Sequence, residues 1–229
     1  PAPVPNPDFR ATCGANVILV LDESLSIGGD PAKTAQVRAA ASAFADGLKD
    51  TGSRLAVVEF ASRARTAIPF REVTSADIGF FTNYFTAGPG APEGGYDPWT
   101  SGSDDAYTNW QDALQKAGVL DAGPGEPPPL LVFLTDGAPP AYLQENGSVV
   151  RNAGGAGLPQ AVVAANAVKA QGAHILAVAV GSALNNAGSL SRLRDITDGG
   201  DSIVVTAAGV ASLNLSTDDI LRVTDFGAL

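Results

Sequence analysis

Three short segments carry oxygen-bearing side chains whose types and spacing could hold a hard cation. Asp22-Glu23-Ser24-Leu25-Ser26 places one carboxylate and two hydroxyls at alternate positions, Thr108-Asn109-Trp110 adds a hydroxyl, and Thr135-Asp136-Gly137 adds a second carboxylate. Such donors suit Mg²⁺, Mn²⁺ or Ca²⁺ rather than soft metals, and Mg²⁺ takes few direct protein ligands because it keeps several waters. Each segment also has a plain structural use. Asp and Ser turn and cap the chain after a strand; Asp-Gly punctuates turns; Thr108 with Gln111 fits a capping box.

Catalysis finds no comparable set of residues. Phosphoryl-transferring hydrolases with an Asp after the first strand carry D-x-D there, and here Ser24 fills the place of the second acid. Neither a G-x-x-x-x-G-K-[ST] phosphate loop nor a G-x-S-x-G nucleophile turn occurs. The single histidine, His174, opens a strand, and the single cysteine, Cys13, has no partner for an internal disulfide and reads as structural. The chain is therefore read as a binding protein, not an enzyme.

The elements that must position these groups follow from hydropathy. Asn16 to Leu21 is a nearly unbroken apolar run and Leu130 to Thr135 a strong buried one, both of strand length, as in a parallel sheet covered on both faces. Asp30-Pro31 caps a helix running to Lys49. Arg54 to Phe60 and Ala64 to Phe70 form an antiparallel edge hairpin, because only Ala61 to Arg63 connect them. Helices are expected over Ser75 to Phe85, Thr108 to Leu120, Pro159 to Gln171 and Leu190 to Ile196. Strands are expected over His174 to Val180 and Ser202 to Thr206, and Ser212 to Val223 reads as an amphipathic closing segment. The fold class is α/β: a doubly wound, mostly parallel central sheet of about six strands with helices on both faces. Residues 1–15 read as an extended proline-rich arm and 16–229 as one domain.

The 229 residues are 45% hydrophobic, enough for a packed core, and carry 14 basic against 24 acidic side chains, a net charge of −10. Without a basic cluster, nucleic acid is an unsuitable partner. The longest apolar stretches are far short of the ~20 residues of a membrane helix, so direct membrane insertion is not expected. Pro1, with no leader after it, reads as a processed or trimmed end. Two loops, Ala87 to Tyr107 and Gly137 to Leu158, exceed ordinary connections. The first sets Tyr96, Trp99 and Tyr107 among Asp97, Asp104 and Asp105, a composition suited to partner binding, although such rings can equally pin a loop to the body. Asp104 and Asp105 lack the alternating spacing of a calcium loop, and Asp198 to Asp201 reads as a turn.

Taken in order, D-x-S-x-S after the first strand, a threonine after a long loop and an Asp-Gly after a later buried strand resemble the von Willebrand factor type A family. The resemblance covers about residues 16 to 207, and VILVLDESLSI, YTNWQDAL and LVFLTDG are similar to bacterial members. It implies a metal-ion-dependent adhesion site in which Ser24, Ser26 and Thr108 hold Mg²⁺, or Mn²⁺ or Ca²⁺, with Asp22 and Asp136 reaching it directly or through water. It implies as partner a protein, extracellular-matrix or surface ligand offering a carboxylate to the ion. The expected setting is extracellular or at the cell surface, within a larger adhesin-like or pilus protein. Domains similar to this one also act inside cells beside ATPases in metal-insertion or remodelling complexes, which is the alternative reading.

Overall fold

The computed structural model describes residues 1–8, 14–87, 94–100, 105–181, 187–197, 203–204 and 218–223. Cys13, Asp104 and the Asp198 to Asp201 turn lie outside the described residues. The elements in chain order are β1 (Asn16–Asp22), α1 (Leu25–Gly28), α2 (Pro31–Gly47), β2 (Arg54–Phe60), β3 (Ala64–Glu72), α3 (Ile78–Thr86), α4 (Trp110–Gly118), β4 (Leu130–Thr135), β5 (Tyr142–Leu143), β6 (Val149–Val150), α5 (Gly157–Ala170), β7 (His174–Val180), α6 (Ala187–Ile196), β8 (Ile203–Val204) and β9 (Ile220–Val223).

The central sheet has strand order β3-β2-β1-β4-β7-β9-β8, parallel throughout except for β3, which pairs antiparallel with β2. Among the described residues it thus contains seven strands, one more than the six or so expected. The addition is β9, in the segment read as amphipathic: Asp218 and Asp219 precede it, but Ile220, Leu221 and Val223 are buried beside β7. The second long loop also holds a small hairpin, β5 with β6.

Strand β1 shows why the sheet needs cover on both sides. Val17, Leu19 and Leu21 join one apolar cluster with Val37, Ala41, Phe81 and Phe85 of α2 and α3. Ile18 and Val20 join the other, with Trp110 and Leu114 of α4, Val162 of α5 and Leu193 of α6. Alternate side chains of a strand face opposite sides, so a run without polar residues buries both. Phe133 anchors the second cluster, stacked on Phe60 and edge-on to Trp110.

Residues 1–8 lie against the body. Asn6 donates to the Ile175 carbonyl and accepts from its N–H, and the Pro7 carbonyl contacts His174 Nδ1 at 2.9 Å. His174 is buried, with Nε2 3.1 Å from Asp219, so its role here is packing and tethering.

Candidate functional site at the sheet's switch point

The chain leaves β1 for β2 on one side and reaches β4 on the other, so the carboxyl ends of β1 and β4 flank the point where strand order reverses. Side chains just past such strands face a crevice. Leu21 pairs with Leu134, which sets Asp22 beside Thr135 and Asp136. Asp22 Oδ1 accepts from the Ser24 N–H at 2.9 Å, turning the chain, and Oδ2 accepts from the Thr135 hydroxyl at 2.7 Å. The Ser24 and Ser26 hydroxyls lie 2.9 Å apart, and Ser26 donates to Asp136 Oδ1 at 2.5 Å. Four of the five proposed ligands therefore form one hydrogen-bonded cluster.

Two carboxylates share this place, and Asp22 is fully buried. Burial and then the neighbouring Asp136 charge push Asp22 up to about 7 from an ordinary 3.8. A cation is the natural remedy for that strain. The donors are all oxygen, with two carboxylates and neutral hydroxyls, so they fit a hard divalent ion better than zinc. No group of three or more His, Cys, Asp or Glu side chains able to hold a metal occurs among the described residues. Any site here must therefore draw on the serines and the threonine.

Residues 16–86 match the family model of the von Willebrand factor type A domain. Its fold is that of a von Willebrand factor type A domain. The chain is similar to the von Willebrand factor domain of the type V pilus tip protein Mfa5 from Porphyromonas gingivalis, with a TM-score of 0.66 and 14% identity over 94% of this chain and 91% of that one. A variant of the PilB minor pilin from Streptococcus sanguinis gives 0.67 and 14%, over 96% of this chain and 59% of that one. Proximal thread matrix protein 1 from the mussel byssus, with a zinc-occupied MIDAS motif, gives 0.56 and 18%, over 98% of this chain. This chain spans only 46% of that protein. No curated protein matches the sequence at significance.

Thr108 is delivered by a different device from the one its sequence offers. Asn109, not Thr108, caps α4, accepting from the Asp112 N–H. The residues around it are pinned to the β2–β3 turn: Asn109 N–H donates to the Ala61 carbonyl, Asn109 Nδ2 to the Ser62 carbonyl, and Tyr107 N–H to the Ser62 hydroxyl. Phe60 pairs with Asp22, so that turn lies at the same carboxyl end as the cluster. The Leu25 N–H also donates to the Ala106 carbonyl, and the Ala141 N–H to the Thr108 carbonyl. Thr108 itself is buried, and among the described residues its hydroxyl makes no hydrogen bond to Asp22, Ser24, Ser26 or Asp136, which bond to one another and to Thr135 and Lys33.

The three aromatic residues separate. Tyr96 is fully buried in the α2–α3 side of the core and its hydroxyl donates to the Asp22 carbonyl at 2.6 Å, so the expectation that it meets a partner is corrected: it supports the site from beneath. Trp99 is 40% exposed, and its N–H donates to the Glu23 carbonyl. Tyr107 is half-buried and accepts from Asn152. An open cavity of about 540 Å³ beside the turn is lined by Glu23, Arg65, Asp97 and Trp99.

Sequence reasoning missed two features. Glu59, buried on β2, accepts from the Tyr84 hydroxyl at 2.6 Å and faces Arg65 at 2.6 Å, while burial and the adjacent Glu23 push it up to about 9. An acid inside the apolar run that follows Arg54, LAVVEF, is the available signal. The other is Lys33, whose ammonium lies 3.0 Å from Asp136 Oδ2; no spacing rule links it to the acid.

Proposed function

We propose that this domain binds a protein or surface ligand through a divalent cation held at the carboxyl ends of β1 and β4. The carrying observation is the hydrogen-bonded convergence of Asp22, Ser24, Ser26 and Asp136, with two acids in one largely buried place. Ser24, Ser26 and Thr108 would supply hydroxyl ligands. Asp22 would act through water, since both its oxygens already accept protein hydrogen bonds. The ion is Mg²⁺ in this reading, with Mn²⁺ or Ca²⁺ as substitutes, and it supplies a Lewis-acidic position that an acidic side chain of the partner completes. No bond is broken. The setting is the cell surface or beyond, within a longer adhesin-like protein, a reading supported by likeness in fold to pilus proteins. Among the described residues no helix is long and apolar enough to cross a membrane.

Calorimetric titration of Mg²⁺ and Mn²⁺ into the wild type and Asp136→Ala tests this. Saturable heats are expected from the wild type and none from the variant, with circular dichroism unchanged. Equal heats from both proteins would rule the site out.

A further inference from the structure

Lys33 is held inside the candidate ligand cluster rather than beside it. Its Nζ lies 3.0 Å from Asp136 Oδ2 and donates to the Ser26 carbonyl at 2.9 Å, while Asp136 Oδ1 accepts from the Ser26 hydroxyl. The ammonium thus grips both the backbone and, through Asp136, the side chain of one proposed ligand. Its place on the helix does not explain it. Lys33 is in the first turn of α2, where the helix dipole disfavours a cation, and Asp30 already caps that end. The third acid of the turn, Glu23, points elsewhere, towards the Asp97 N–H and Arg65. Among the described residues, the charges that meet in the cluster are therefore Asp22, Asp136 and Lys33.

We propose that Lys33 sets the charge of the cation site, so that a bound divalent ion keeps one net positive charge and is completed by a single carboxylate of the partner. The inference rests on the metal-mediated reading above. Two aspartates alone would neutralise a dication, giving tight metal binding and a weak pull on any further acid. With the lysine in place, metal affinity falls and the attraction for an incoming carboxylate rises. The two effects have opposite signs, which an ordinary structural ion pair would not produce. Lys33 is a positioning and charge-setting residue; it is not a ligand of the ion.

The test compares wild type, Lys33→Met and Lys33→Arg, using Mn²⁺ alone and then Mn²⁺ with acetate as the carboxylate probe. Met keeps the aliphatic stem and removes the charge; Arg restores the charge. Calorimetry should show Lys33→Met binding Mn²⁺ about tenfold more tightly than wild type, allowing for solvent screening of a side chain 36% exposed. Lys33→Arg should stay near wild type. Relaxation of the acetate methyl protons by protein-bound Mn²⁺ should be weaker in Lys33→Met than in wild type. Unchanged or weakened Mn²⁺ affinity in a folded Lys33→Met overturns the proposal while leaving the metal reading intact. A wild type that binds no Mn²⁺ overturns both.

Discussion

Replacing Asp22 by Asn should stabilise the cation-free protein at pH 8 and hardly at all at low pH. Asp22 is fully buried, its charge opposed by desolvation and by Asp136, so it ionises in the folded chain near 7 against 3.8 when open. Between those values the folded state holds a proton that the unfolded state has lost. Stability therefore falls as pH rises, by about 1.4 kcal/mol per unit, and the loss is complete above the folded value. Asn removes the titrating charge and keeps the geometry. Its Oδ1 can still accept from the Ser24 N–H, and its amide can donate to the Thr135 hydroxyl, which is free to donate onward to the Gly137 carbonyl.

The difference between Asp22→Asn and wild type should grow by about 3 kcal/mol from pH 5 to pH 8, or roughly 6–12 °C in Tm for a chain of this size. Urea or thermal unfolding in chelator, followed by circular dichroism, measures it. Comparing the two proteins at each pH cancels the other raised acids, Glu23 and Glu59, which titrate in both. Saturating Mg²⁺ should reverse the order at pH 8, because only wild type gains from the ion. Parallel stability curves in chelator, or a variant less stable than wild type at pH 8, would refute the claim that Asp22 is a strained, buried charge.

Two further outcomes test the surroundings of the site. A Cβ at Gly28 would run into the Trp99 carbonyl oxygen and come 2.7 Å from the Pro98 carbonyl carbon, so Gly28→Ala should cost about 1–3 kcal/mol in urea unfolding. The same variant should shift Trp99 emission, with the buried Trp110 as the constant background. Glu59, pushed up to about 9, is protonated at pH 7, so Glu59→Gln should change stability there by less than about 1 kcal/mol, whereas Glu59→Ala, which strands the Tyr84 hydroxyl, should lose about 2–4. Chemical denaturation of both at pH 7 separates a neutral acid from a charged one.

What was legible in the chain depended on whether the cause was local. β1, β4 and β7 announce themselves because a strand buried on both faces is apolar along its middle, with Asn16, Asp22, Thr135 and His174 kept to the strand ends. β9 does not, because four residues give too little pattern and its burial comes from the assembled fold, in which it pairs with β7 and β8. Asp22, Ser24 and Ser26 are legible for a similar reason: a turn after a strand fixes where alternate side chains can point. Asp136 repeats the placement on the neighbouring strand. The capping box that Thr108 offers beside its reading as a ligand is not used, because Asn109 caps α4, and one position decides which oxygen serves the helix. The buried place of Tyr96 is not legible, since an aromatic ring among acids and glycines gives no sign of which side of the loop is core. Lys33 carried no signal at all. Its partner Asp136 is more than a hundred residues away, and only the meeting of β1, α2 and β4 makes the ammonium part of the cluster. Acids and hydroxyls of such a site can be read from strand ends, while the charge balance that decides how the site behaves is a product of the assembled fold.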